Sequence, residues 1–429
     1  MKHDVEGNMF RFVWLGICLL GVPAVAADWP QWRGPEGQGH APTARDLPKQ
    51  WKIGPPGKEV AGGDNIQWRT EIPGRAWSSA MIVDDVVWLT TALEHGVGNE
   101  GPPPPGGKKP QPRSVAASVT FRALAIDRKD GEILHDLELF SVDNPQPTHV
   151  LNSFASPSPV IGSSYLYCQF GDYGTACVDI KKASLVWHNR SQRLNHENGP
   201  GSSPVLWKDL LIFHCDGSDV QYVVALDRKT GEEVWRTDRS GEMNDNPEMK
   251  KSYGTPLVTS VGGRDVLLSP ASDWLYGYDP KTGNELWKVK YGILGFSIVP
   301  RPVVVDEVAY ISTSFMKTEL LALQLGPTET TQPQILWRYK RSVPRMPSPL
   351  LVGDAVYLFS DKGIAPCLDK VTGEARWTGR LGGSFSSSPI LADGKIYVGN
   401  REGEMFVIKP GNELDILTKN DVDEAMRAS

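Results

Sequence analysis

One eleven-residue frame, Ala-x-Asp-x-x-Thr-Gly-x-x-x-Trp, returns along this chain and limits its fold more than any other feature. The best copies are ALDRKTGEEVW (residues 225–235), GYDPKTGNELW (277–287) and CLDKVTGEARW (367–377). AIDRKDGEILH (125–135) and CVDIKKASLVW (177–187) keep the Asp and lose the Thr-Gly or the Trp. Recurrence at roughly 45–50 residues is the signature of propeller blades.

Each frame reads as a hairpin between two strands. Asp227, Asp279 and Asp369 are placed to accept hydrogen bonds from the turn's own backbone, and Gly231, Gly283 and Gly373 supply a positive φ at no steric cost. Trp235, Trp287 and Trp377 are too large for an outer strand to bury alone, so a neighbouring blade must cover them. Their role is structural. Upstream of each frame stands a strand–turn–strand element led by small residues and often Pro, such as SSPVLWKDLLIF (202–213) and PSPLLVGDAVYLF (347–359). A Pro fits the first residue of a strand, and small residues suit a crowded innermost position.

Together the two elements make a four-stranded unit, and the chain carries seven of them. The seventh is eroded, with Asp415 in the expected Trp position. IQWRTEI (66–72) reads as a further outer strand without partners of its own. The expected architecture is all-β: a propeller on an eight-blade frame whose eighth blade is incomplete, closed by residues 66–72 so that no sheet edge stays open. A seven-blade ring is the rival count.

One propeller accounts for residues 28–429. Residues 1–27 read as a secretory signal peptide: Arg11, an apolar run and Ala24-Val25-Ala26. The apolar run is about 14 residues, too short for a membrane span of about 20, so the mature chain is expected to have no transmembrane segment and to be exported to the periplasm or cell envelope. The net charge of −6 gives no footprint for nucleic acid. Residues 98–112, dense in Pro and Gly, read as a disordered surface loop. Export makes disulfides permissible. Cys168 and Cys177 flank a short turn and are candidates for a cross-strand bond, although Cys177 and Cys367 also fit the buried small-residue slot of the frame. No CxxC, HExxH or Cys/His cluster points to a metal site.

The repeated frame resembles the tryptophan-docking motif of pyrroloquinoline-quinone (PQQ)-like β-propellers, and DWPQWRGPEGQG (28–39) is similar to the start of exported bacterial members of that group, similar in turn to the outer-membrane assembly factor BamB. The resemblance implies a non-catalytic binding or assembly scaffold with a protein partner in the cell envelope. The family's enzymatic branch implies the quinone with calcium and a disulfide between adjacent cysteines. Here there is no Cys-Cys pair, and no local motif places a calcium-binding Glu and Asn or a catalytic Asp. No cofactor and no catalytic residue is therefore expected. The alternative is a quinone- and calcium-dependent dehydrogenase of alcohols or sugars.

A ligand site in a propeller is expected at the funnel mouth, on the loops entering the innermost strands. Those loops contribute Arg75, Trp77, His149, Asn152, His196, Glu197, Asn198, Asp245, Arg301 and Arg345, with Phe154 and Phe385 as aromatic candidates for stacking a sugar. His196 and Glu197 beside Gly-Pro-Gly suit acid–base work or, with Asp245, a calcium ion; a hydrogen-bonded loop is the simpler reading. Arg301 and Arg345, each near a Pro in successive units, suggest a cationic sector for carboxylates.

Overall fold

The computed structural model describes residues 28–53, 64–98, 112–291, 295–326 and 331–427. The expected signal peptide and nearly all of the Pro/Gly stretch lie outside the described residues. Within them the secondary structure is strand, apart from two short 3₁₀ turns at Gly171–Tyr173 and Pro247–Met249.

Seven antiparallel meanders form in chain order. The first sheet comprises Met81–Val83, Val86–His95, Ser118–Asp127 and Ile133–Asp143. The second begins at Val160–Gly162, the third at Val205–Trp207, the fourth at Leu257–Val261, the fifth at Val303–Val305, the sixth at Leu350–Val352 and the seventh at Ile390–Ala392. First strands of several neighbouring sheets lie side by side, so they line the centre and the fourth strands lie outermost. The fold is an all-β propeller with four-stranded sheets.

The repeated frame fills one hairpin type. In the third sheet the register slips between Ala225 and Leu226, so Trp235 faces Ala225. The same bulge recurs at Gly277/Tyr278 and Cys367/Leu368. Asp227 Oδ1 accepts the backbone N–H groups of Lys229 and Thr230, and Gly231 takes φ 75°. Apolar clusters then join each sheet to the next, from first–second through sixth–seventh. Among the described residues no such cluster joins the seventh sheet to the first.

That seam corrects two expectations. Residues 66–72 form no ladder. They supply an indole instead: Trp68 donates to the carbonyl of Arg128 at 2.7 Å, as Trp187 does to Arg228 and Trp235 to Pro280 in the next sheet along. In the seventh sheet the bulge at Val407/Ile408 sets Thr418 opposite Val407, so Thr418 and not Asp415 occupies the Trp position. Its hydroxyl donates to the carbonyl of Lys49, where elsewhere an indole would reach a neighbouring hairpin. Chain on either side of residues 54–63 thus contacts both flanking sheets.

The N-terminal stretch enters the ring itself. Trp29 bridges to Ile82 in the first sheet, Pro30 accepts from Ile161 in the second, and Gln38 accepts from Val304 in the fifth. His40–Ala41 then adds in parallel to Ile390–Ala392, at the inner edge of the seventh. The edge left by an innermost strand is thereby paired with the chain's own backbone.

The four described cysteines are buried and free. Cys168 pairs with Ala176 and Cys177 with Tyr167, so the two thiols project to opposite faces of the second sheet and cannot bridge.

Candidate functional site

The leads into the first strands share a pattern that the sequence shows once it is aligned on the Pro: Ser158-Pro, Ser203-Pro, Thr255-Pro, Arg301-Pro, Ser348-Pro and Ser388-Pro, with Ser79-Ala in the first unit. These residues tie sheet to sheet. The N–H of Ser79 donates to Ser158 Oγ at 2.8 Å, that of Ser158 to Ser203 Oγ at 2.9 Å and that of Ser203 to Thr255 Oγ1 at 3.0 Å. Across the ring the N–H of Arg301 donates to Ser348 Oγ and that of Ser348 to Ser388 Oγ. Backbone donors that no ladder can reach are satisfied by hydroxyls.

Above this ring opens a cavity of about 710 Å³, floored by Trp32 of the N-terminal stretch. Its wall combines loops into first strands with loops between second and third strands, both on the same face. Of the expected mouth residues, Trp77, His149, Asn152, Glu197, Asn198 and Arg345 line it. Two small ladders brace that rim: Arg113–Ser114 pairs with Thr148–His149, and Gly295–Phe296 with Phe315–Met316.

Most of these groups already hold the loops. Asn152 donates to the carbonyls of Asn198 and Pro200 and accepts from Ser153. His149 accepts the Leu151 N–H at Nδ1, and burial and Arg113 lower its pKa, so the ring is neutral. Glu197 is engaged by the Lys251 ammonium. Asp361 accepts the Arg345 N–H at 2.8 Å, and burial pushes its carboxyl up.

Four expected mouth residues lie elsewhere. Arg75 pairs with Glu94 at 2.8 Å, stands 5.9 Å from the Trp77 ring centre and does not line the cavity. Asp245 sits exposed on the loop before Pro247 and does not line the cavity. His196 is buried against Tyr173, where Nε2 accepts the Asp172 N–H at 2.8 Å. Burial there lowers its pKa to about 3, so it is a neutral, loop-fixing imidazole. Arg301 takes the hydroxyl position of its repeat and turns into the ring beneath the cavity. It donates to the carbonyls of Pro256 and Trp32 and to Gln31 Oε1. It clamps the N-terminal stretch rather than facing a ligand, and burial lowers its pKa to about 9. Phe154 and Phe385 are also buried in the cores between sheets, so neither can stack a ligand.

Other residues complete the wall. Lys251, Arg401, Arg427, Phe315 and Asp361 line the cavity. Arg401, Phe315 and Asp361 come from loops between second and third strands, a class of loop that opens on the same face and is visible in the repeat. Arg427 arrives on the C-terminal tail.

The resemblance to quinone enzymes asks for a carboxylate and amide cage around calcium. The donor set does not fit. Among the described residues no group of three or more His, Cys, Asp or Glu side chains is placed to hold a metal. Of the three acids on the cavity wall, Glu197, Glu248 and Asp361, the first is held by Lys251 and the last by the Arg345 backbone, and Asn152 is consumed by loop carbonyls.

Comparisons with known proteins point two ways. The family described as outer membrane protein assembly factor BamB matches residues 212–334 and 329–414. The outer membrane protein assembly factor BamB of Shewanella oneidensis is 29% identical over 124 residues, which is 28% of this chain and 29% of that protein. The match thus spans under a third of that relative. Among solved structures, a europium-containing methanol dehydrogenase superposes with a TM-score of 0.64 at 10% identity, over 94% of this chain and 87% of its own. The quinohemoprotein alcohol dehydrogenase of Comamonas testosteroni gives 0.53 at 12%, over 90% and 78%. BamB from Moraxella catarrhalis gives 0.45 at 16%, over 66% and 76%. At such identities the structural likeness establishes the fold alone.

Proposed function

The chain is a PQQ-like repeat protein related to BamB, and from that premise we propose that it is an exported, non-catalytic scaffold of the cell envelope that holds a protein partner at its cavity face. One observation carries the reading: an acid, an amide and an imidazole that the wall could turn to chemistry are bound into its own loops. Glu197 is tied to Lys251, Asn152 to two carbonyls, and His149 to the Leu151 backbone. Among the described residues no nucleophile is shown beside a free base there, which general acid–base or covalent catalysis requires. What remains is a recess lined by aromatic and polar side chains, the form of a binding site. Export would place it in the periplasm. Among the described residues no helix is long and apolar enough to cross a membrane.

Site-specific photocrosslinking in intact cells tests this. A photoreactive residue at Leu151, on the cavity rim, is expected to give a discrete protein adduct. One at Val371, an exposed position on the outer hairpin of the sixth sheet, is expected to give none. Absence of any adduct at the rim would overturn the reading.

A further inference from the structure

The charges of the cavity are unevenly placed. Toward the third and fourth sheets, Lys251 is matched by Glu197. Along the arc from the fifth sheet round to the first, the wall presents Arg345 on the loop into the sixth sheet, Arg401 in the seventh and Arg427 beside Trp77 of the first. Among the described residues none of these three forms an ion pair. Each guanidinium is instead fixed by neutral neighbours. Arg401 donates to the Ser386 hydroxyl and lies 3.4 Å from the Met346 sulfur. Arg427 stands over the Trp77 ring at 4.7 Å, and Arg345 over Phe315 at 5.5 Å. Contacts of this kind orient a guanidinium plane and leave N–H edges for a partner.

A second observation marks the same sector. Ser79, two residues from Trp77, is 4% exposed and lines the cavity, and among the described residues its hydroxyl has no hydrogen-bond partner. A buried hydroxyl without a partner is costly, and a ligand group would satisfy it. Asp361 is the one acid of this sector's wall: burial raises its carboxyl, the Arg345 N–H and the charges of Arg345 and Arg401 act the other way, and one carboxylate stands against three guanidinium groups. Burial, and after it the nearby Arg401 and Arg75, lower the pKa of Arg427.

We propose that Arg345, Arg401 and Arg427, with Trp77 and Ser79, form a carboxylate clamp that seats an acidic peptide segment of the partner in the cavity. Guanidinium forks bind carboxylates through paired hydrogen bonds, which a lysine cannot reproduce. The intervening wall of Trp77, Phe296, Phe315 and Met346 suits apolar side chains set between the acidic ones. A cavity of about 710 Å³ lies within the range that encloses a drug-sized ligand, comparable to a few residues of such a segment. The clamp rests on the scaffold reading for the identity of its occupant, and its chemistry can be tested apart from that reading.

The experiment is a fluorescence-anisotropy titration of the full mature protein with a labelled peptide alternating Glu with Leu and Phe. Its Gln counterpart and an oligoglucuronate of similar charge are run beside it. The Glu peptide is expected to bind, the Gln peptide not, and added salt to weaken the complex. Arg401→Gln and Arg427→Gln are each expected to weaken binding about tenfold or more, the size of one lost charge-assisted contact. Lys290→Gln, outside the cavity, serves as control, and unchanged thermal unfolding shows that the variants fold. Equal binding of Glu and Gln peptides, binding indifferent to both arginines, or binding of the oligoglucuronate alone would overturn the clamp. If Leu151 crosslinks form normally in Arg401→Gln and Arg427→Gln cells, the clamp falls and the scaffold stands. If the arginine-dependent peptide complex forms and no crosslink does, the scaffold falls and the clamp stands.

Discussion

Trp68 and Arg128 are joined by an indole N–H to carbonyl hydrogen bond of 2.7 Å that belongs to the inter-sheet pattern of the whole ring, although Trp68 belongs to no sheet. Its ring lies against Gly131 just as Trp187 lies against Gly231 and Trp337 against Gly373. Extended chain therefore serves at the seam where elsewhere a blade would.

Trp68→Phe keeps most of the ring's packing and removes the donor, so it should cost about 1 kcal/mol. Trp68→Ala should cost more, roughly 2–4 kcal/mol for a partly covered indole. Chemical unfolding measures both. In these variants hydrogen exchange should show faster opening of the first sheet before the others, since Trp68 covers its hairpin and, among the described residues, no apolar cluster backs it at the seam.

The turn glycines offer a matched comparison. Gly231 has φ 75°, and a Cβ there would stand 2.6 Å from the Trp187 ring; Gly353 has φ 62° with open space around it. Gly353→Ala carries only the left-handed backbone penalty, about 1 kcal/mol. Gly231→Ala adds displacement of an indole and should lose about 2–4 kcal/mol in all. Equal losses in melting temperature would contradict the packing described.

Acid should destabilise the fold through His196. Its pKa is lowered from 6.5 to about 3 by burial, so the unfolded chain binds the proton more readily. The folded state carries no penalty above the unfolded value and loses stability as the pH falls through 6.5 toward 3, by roughly 5 kcal/mol in total. His196→Gln can still accept the Asp172 N–H and carries no such proton. Its unfolding free energy should fall less than the wild type's between about pH 7 and about pH 4.

The buried thiols should be inert. Burial pushes the thiols of Cys177 and Cys215 up to about 12 and that of Cys367 to about 11, and that of Cys168 higher still. A disulfide-exchange reagent near pH 8 should label none of these four in the native protein and all four on denaturation. Two thiols missing after denaturation would reveal the cross-strand bond that the register excludes.

The architecture is legible in the sequence because the Asp, Gly and Trp of the frame each answer a local demand: a turn acceptor, a positive φ and a cover for the next hairpin. The site is less so. Arg301 looks like a mouth cation beside Arg345, yet alignment on the Pro puts it where other repeats carry Ser or Thr, which signals its inward path. His196 sits next to a Gly-Pro-Gly turn, and its burial depends on Tyr173 from another loop. Arg401 follows from recognising that two classes of loop share one face. Arg427 and Trp32 do not follow from any pattern, because where a tail and a leading segment run is decided by contacts hundreds of residues apart.

The most direct test of a binding cavity with no quinone centre is a titration of the mature protein with pyrroloquinoline quinone and calcium. Tryptophan fluorescence reports the complex, and dye reduction with short alcohols and sugars reports turnover. No calcium-dependent saturation and no substrate-driven dye reduction are expected, because Glu197 and Asp361 are already engaged and, among the described residues, no three His, Cys, Asp or Glu side chains are placed to hold a metal. A saturable calcium-dependent complex that turns over an alcohol would contradict it.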